Sequence, residues 1–165
     1  MELEPGLMNG AQFVPLADGD DLPLSRPPQG GFVSYLAARA RNLDTCRVLI
    51  TAGLRSPTTS LVAGQDGRSI TLVPRSDGWA APSSDDVSRL ANIPLCPDYF
   101  AEAVVDVPYT LEVTLQDSRG AAAAGHVSRT VVPRCSEQNQ AAQCRCDCAA
   151  NYTLGGCAVL DAGGF

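Results

Sequence analysis

Five of the seven cysteines stand at 135, 144, 146, 148 and 157, spaced C-x8-C-x-C-x-C-x8-C. Thiols in such a cluster do one of two things. They pair into disulfides where the compartment is oxidising, or as thiolates they hold a soft metal. Cys144, Cys146 and Cys148 alternate, and three sulfurs so placed can converge on one cation. Structural zinc sites, however, usually draw on C-x2-4-C pairs, often with histidine. The C-x2-C spacing never occurs here, and the only histidine, His126, precedes the cluster. Bare thiolates would also suit copper(I) or a metal–sulfur cluster. Disulfides are the expectation, with no metal and no cofactor.

Cys46 and Cys96 lie apart. Cys46 opens the run Cys46–Ala52, CRVLITA, in which Cys46, Val48 and Ile50 share one face. The run 109–116 on the facing sheet has no cysteine to pin it, so Cys96 is its partner by elimination. Seven cysteines cannot all pair, and one must stay free or bond to another chain. The expected bridged set is Cys46, Cys96, Cys135, Cys144, Cys148 and Cys157, with Cys146, the middle of the cluster, as the free thiol.

Other chemistry has little support. Asp18, Asp20 and Asp21 invite a calcium reading, but they lack the alternate spacing and distant Glu of a calcium loop, and a solvated acidic turn accounts for them. A Ser-His-Asp set would need His126, beside the small-residue run Ala121–Gly125. No G-x-S-x-G elbow, phosphate-cradling glycine loop or H-E-x-x-H occurs. No enzyme is expected. Asn151-Tyr152-Thr153 has the form of a glycosylation sequon and is given no weight.

The elements that must position these groups are strands. Tyr109, Leu111, Val113 and Leu115 alternate with Thr110, Glu112, Thr114 and Gln116, the period of a strand with one buried face. Asp117-Ser118-Arg119-Gly120 turns the chain into a second run, His126–Val132, and the two predict a long hairpin. Phe32–Leu43 alternates as well, and Cys46–Ala52 is a strand. Phe13–Leu16 and Leu22–Leu24 carry prolines and suit sheet edges. Thr58–Ala63 and Arg68–Pro74 read as a hairpin around Gln65-Asp66-Gly67. Ser84 caps a short helix reaching Ala91, and 94–108 is a long connection. Residues 1–12 read as a frayed leader. Ser136 caps a short helix over 136–143. Asp106-Val107-Pro108-Tyr109 suits either a tyrosine that bonds back to upstream backbone at a strand corner or a plain core tyrosine. Hydrophobic alternation stops at Arg134, which predicts a β-sandwich over 1–134 and a Cys-rich tail over 135–165.

Composition narrows the classes. All 12 basic residues are arginine and the net charge is −6. An acidic surface repels phosphate, so no nucleic-acid partner is expected. No basic amphipathic stretch favours an anionic membrane, and no run is long enough to span one. The cysteine content predicts an exported chain, in the periplasm, the cell envelope or outside the cell, whose signal peptide lies outside this sequence.

Two resemblances add to this reading. Cys146-x-Cys148-x-x-Asn151-Tyr152-x4-Cys157 resembles the closing half of an epidermal-growth-factor-like module, with Asn151 where that family has glycine. Over those dozen residues the resemblance implies a Cys148–Cys157 bridge closing a small hairpin. Asp18-Gly19-Asp20 with Leu22, Pro28-Gln29-Gly30-Gly31, an Arg-rich first strand and a Cys-rich end together resemble envelope lipoproteins of high-GC predatory and social bacteria. That implies export and an immunoglobulin-like sandwich. The lipid-bearing cysteine with which such proteins begin is absent here, so a lipid anchor lies outside what this sequence carries. The expectation is an all-β, immunoglobulin-like β-sandwich with a disulfide-tied tail. It is a non-catalytic envelope or extracellular module that binds an unknown protein or glycan. The alternative is a thiol-rich metal-binding or redox protein acting through the cysteine cluster.

Overall fold

The computed structural model describes residues 1–43, 47–97, 102–117 and 124–157. Its elements in chain order are β1 (Glu2–Asn9), β2 (Gln12–Pro15), β3 (Asp20–Pro23), β4 (Phe32–Arg41), β5 (Val48–Arg55), β6 (Val62–Ile70), β7 (Val73–Pro74), β8 (Ala80–Ala81), a 3-10 turn (Val87–Arg89), β9 (Ala91–Cys96), β10 (Tyr109–Asp117), β11 (Ala124–Arg134) and α1 (Ala141–Asp147). One sheet runs β2-β1-β4-β8-β7, with β9 also paired to β4; the other runs β3-β11-β10-β5-β6. Pairing is antiparallel except that β3 lies parallel to β11. Two sheets face each other over one core, with the early edge strand β3 docked on the last strand. This is an immunoglobulin-like β-sandwich.

The period of two produces that core. Leu111, Val113 and Leu115 of β10 are buried, while Thr110, Glu112 and Thr114 are half-exposed. On β4, Phe32, Ser34, Leu36, Ala38 and Ala40 face inward, and Tyr35, Arg39 and Arg41 reach the other side. Val48, Ile50, Ala52 and Leu54 supply the facing layer from β5. The alternating side chains of opposed sheets thus form one apolar layer. Tyr109 satisfies both of its readings: it is 1% exposed, and its hydroxyl donates to the Ala103 carbonyl at 3.1 Å.

Four expectations are corrected. Residues 2–9 are a central strand, not a leader. Glu2 lies opposite Arg41 and Glu4 opposite Arg39 on β4, while Leu3 and Leu7 pack on the core; cross-strand ion pairs outside and leucines inside hold it. Gln65-Asp66-Gly67 is no turn, because β6 runs straight through it. Asp66 is engaged elsewhere, accepting from the Asn92 N–H at 2.7 Å and from Arg68 at 2.6 Å. The helix expected from Ser84 is a single 3-10 turn capped by Asp86. The long connection expected over 94–108 conceals the end of β9, whose Ile93, Leu95 and Cys96 are buried. The turn expected at 118–120 lies outside the described residues.

Candidate functional site

The sulfurs pair as Cys96–Cys148, Cys135–Cys144 and Cys146–Cys157. Three expectations fall. Cys96 bonds to the tail instead of Cys46, and Cys146 is bridged, to Cys157, instead of free; the Cys148–Cys157 bridge implied by the growth-factor-like resemblance is not formed. Cys46 lies outside the described residues.

Helix α1 is the physical reason. It spans Ala141–Asp147, not 136–143, so Cys144 and Cys148 lie four residues apart, over the same face. That face meets the core, and both are buried. Cys146, half a turn round, points to the loop that carries Cys157. Cys96 ends β9 at the same end of the sandwich, next to the helix. The Cys144 and Cys148 sulfurs, on different bridges, are 4.0 Å apart.

Charge reinforces the docking. Asp106, in the left-handed conformation at φ 65°, accepts from Arg145 of α1 at 2.7 Å and from Arg134 of β11. These two guanidinium hydrogen bonds, Arg145 first, hold its carboxyl below the usual carboxylate range. A lowered carboxyl pKa contributes stability above its unfolded value of about 3.9 and loses it as pH falls through the folded value. Asp106→Asn keeps a residue that tolerates this backbone. The variant should melt below the wild type near neutral pH, and the gap should close from about pH 4 downward. Melting temperatures of both chains against pH check this; a gap constant with pH would contradict it.

The acidic turn does not gather. Asp18 accepts from the Thr130 N–H at 2.7 Å, Asp20 from the Ala17 N–H at 2.8 Å, and Asp21 from Arg134 at 2.9 Å. The three carboxylates diverge to three partners. His126 is exposed on β11 opposite Thr114. The shallow cleft beside it, about 110 Å³, is lined by Glu112 and Thr114 but by no serine, and Glu112 is held by Arg55 at 3.1 Å.

The outer face of the first sheet carries an arrangement the sequence reading missed. The Arg39 guanidinium carbon lies 4.9 Å from the Phe13 ring centre and 4.6 Å from that of Trp79; Arg41 lies 4.7 Å from Trp79. Below them Glu4 accepts from Arg39 Nε at 2.6 Å and Glu2 from Arg41 Nε at 2.7 Å. Trp79 is placed by the tight turn joining β7 to β8. There the Arg75 N–H donates to the Trp79 carbonyl at 2.7 Å, Asp77 accepts from the Trp79 N–H at 3.1 Å, and Gly78 takes φ 81°. Two clefts flank the indole. One, of about 250 Å³, is lined by Phe13, Arg39, Arg75, Asp77 and Trp79. The other, of about 220 Å³, is lined by Arg41, Asn42, Leu43, Arg75 and Trp79. The available signal was local: Arg39 and Arg41 share the outward face of an alternating strand, and the chain's single tryptophan follows an Asp-Gly turn.

Fold and site together define a disulfide-bonded, all-β sandwich with an aromatic–guanidinium face. Its three bridges belong to an oxidising environment, as in non-cytoplasmic proteins, and no helix among the described residues is long and apolar enough to cross a membrane. In comparisons with known proteins, no family model, curated protein or solved structure matches the chain.

Proposed function

We propose that this chain is a non-catalytic module of the periplasm, cell envelope or extracellular space that binds a protein or glycan partner on the outer face of its first sheet. The observation that carries the reading is the Phe13–Arg39–Trp79–Arg41 ladder between two clefts. Trp, Phe and Arg are enriched at interface cores: the aromatic rings combine a large apolar surface with few rotatable bonds, and the guanidinium adds a planar fork of donors. Here the guanidiniums are already oriented by Glu2 and Glu4, so binding would lose little side-chain entropy. Their planar donors and the indole edge suit the hydroxyls of a sugar or the carbonyls of a peptide.

Trp79 is the only tryptophan, so its fluorescence reports on this face alone. Glycans and envelope fractions that bind should shift its emission, and an immobilised chain should retain the same partner. Trp79→Ala should abolish retention, a loss of at least about 2 kcal/mol for a hot spot, while His126→Ala, on the other sheet, should retain fully. Equal retention by the Trp79→Ala chain, with its fold verified by circular dichroism, would exclude this face.

A further inference from the structure

We infer that Cys96, Cys135, Cys144 and Cys148 form a redox-exchangeable metal site: two disulfides when oxidised, and a four-thiolate cage for one zinc-class divalent cation when reduced. The inference is independent of the binding reading above. The sulfurs of Cys135, Cys144 and Cys148 all lie within 4.8 Å of one another, and that of Cys96 is bonded to Cys148. With zinc–sulfur bonds of about 2.3 Å, the edge of a tetrahedral four-sulfur site is about 3.8 Å. The unbonded Cys144–Cys148 pair already stands at 4.0 Å. On reduction the two bonded pairs, Cys96–Cys148 and Cys135–Cys144, part toward the same separation. Cys96, Cys144 and Cys148 are 6%, 1% and 2% exposed, so bulk water scarcely competes for the ion, and half-buried Cys135 gives access. The third bridge, Cys146–Cys157, is on the far side of the helix and takes no part.

The step balances. A dithiol or phosphine reductant delivers four electrons, four protons are taken up, and the two S–S bonds become four thiols. Binding of one divalent ion then releases four protons. A disulfide-forming oxidant reverses this, withdrawing four electrons from the four thiolates, re-forming both bridges and expelling the ion.

The test titrates the full chain, reduced anaerobically with a phosphine, with Co2+. The expected result is one Co2+ per chain, showing thiolate-to-cobalt charge-transfer bands and tetrahedral d–d bands. Equimolar Zn2+ should bleach them. The signal should persist in the Cys146→Ser/Cys157→Ser chain and be lost in the Cys135→Ser/Cys144→Ser chain. The inference is overturned if no tetrahedral thiolate spectrum forms, if the Cys135→Ser/Cys144→Ser chain keeps it, or if the Cys146→Ser/Cys157→Ser chain loses it. It is equally overturned if the reduced chain is unfolded and the ion does not restore the sheet signal in far-ultraviolet circular dichroism.

Discussion

A chain in which Cys96 and Cys148 are both alanine is expected to lose about 4 kcal/mol of stability, the chain-entropy value for a loop of this length. The bridge spans 52 residues, far more than the 9 and 11 spanned by the other two. It is also the one that ties the tail to the sandwich, because Cys135–Cys144 and Cys146–Cys157 close loops within the tail. Without it, α1 is left to the Cys135–Cys144 bridge, to Asp106 with its two arginines, to the Arg26–Gln140 hydrogen bond and to the burial of Cys144. Urea unfolding should show the loss, and limited proteolysis should begin cutting after Arg134. Removing Cys146–Cys157 should have a smaller effect, confined to the last turns of the tail. If the Cys96→Ala/Cys148→Ala chain unfolds at the wild-type urea concentration, the tail docks by its core contacts and the bridge is dispensable.

The second large effect is expected at Gly64. A Cβ built there would stand 1.9 Å from the Pro94 carbonyl oxygen and 3.1 Å from Leu95 Cδ2. Gly64 is on edge strand β6 of one sheet, and Pro94 is on β9 of the other. The two strands approach so closely that no side chain fits between their backbones. Since the obstacle is a backbone carbonyl, it cannot swing away. Gly64→Ala should therefore part β6 from β9 at a cost of about 3 kcal/mol, the upper end of overpacking. For a chain of this size that lowers the melting temperature by roughly 6–12 °C. Gly67 three residues on is the control. Its Cβ would meet Thr51 Oγ1 at 3.6 Å and the Ile50 carbonyl oxygen at 3.9 Å, both ordinary van der Waals contacts, so Gly67→Ala should be neutral or stabilising by up to about 1 kcal/mol. Similar melting of the two variants would refute the close approach.

The same glycine shows why part of the fold was hidden. Gln65-Asp66-Gly67 carries turn chemistry, but Asp66 and Gly64 answer to β9 of the other sheet, and nothing local announces that. The segment Ala91–Cys96 is short and broken by Pro94, which sits exposed in the strand; its strand character comes from pairing with β4. Glu2-Leu3-Glu4 does alternate, yet three residues before a proline signify a strand only when Arg39 and Arg41 stand opposite. By contrast, β4, β5 and β10 were legible because their long alternating runs bury one whole face, and a one-residue slip would expose it. In the tail, a helix starting five residues later than expected carried Cys144 and Cys148 to the core and Cys146 away from it.

From its own residues the chain settled what is local or additive: an all-β fold from periods of two, edge strands from their prolines, and a tail dense in cysteine. Only the tertiary structure decided which sulfur meets which, and that Phe13, Arg39, Arg41 and Trp79 share one surface. Pairings of this kind join residues up to 52 positions apart in sequence. They depend on strand order and helix phase, which are set by burial of the core as a whole and by no short stretch alone.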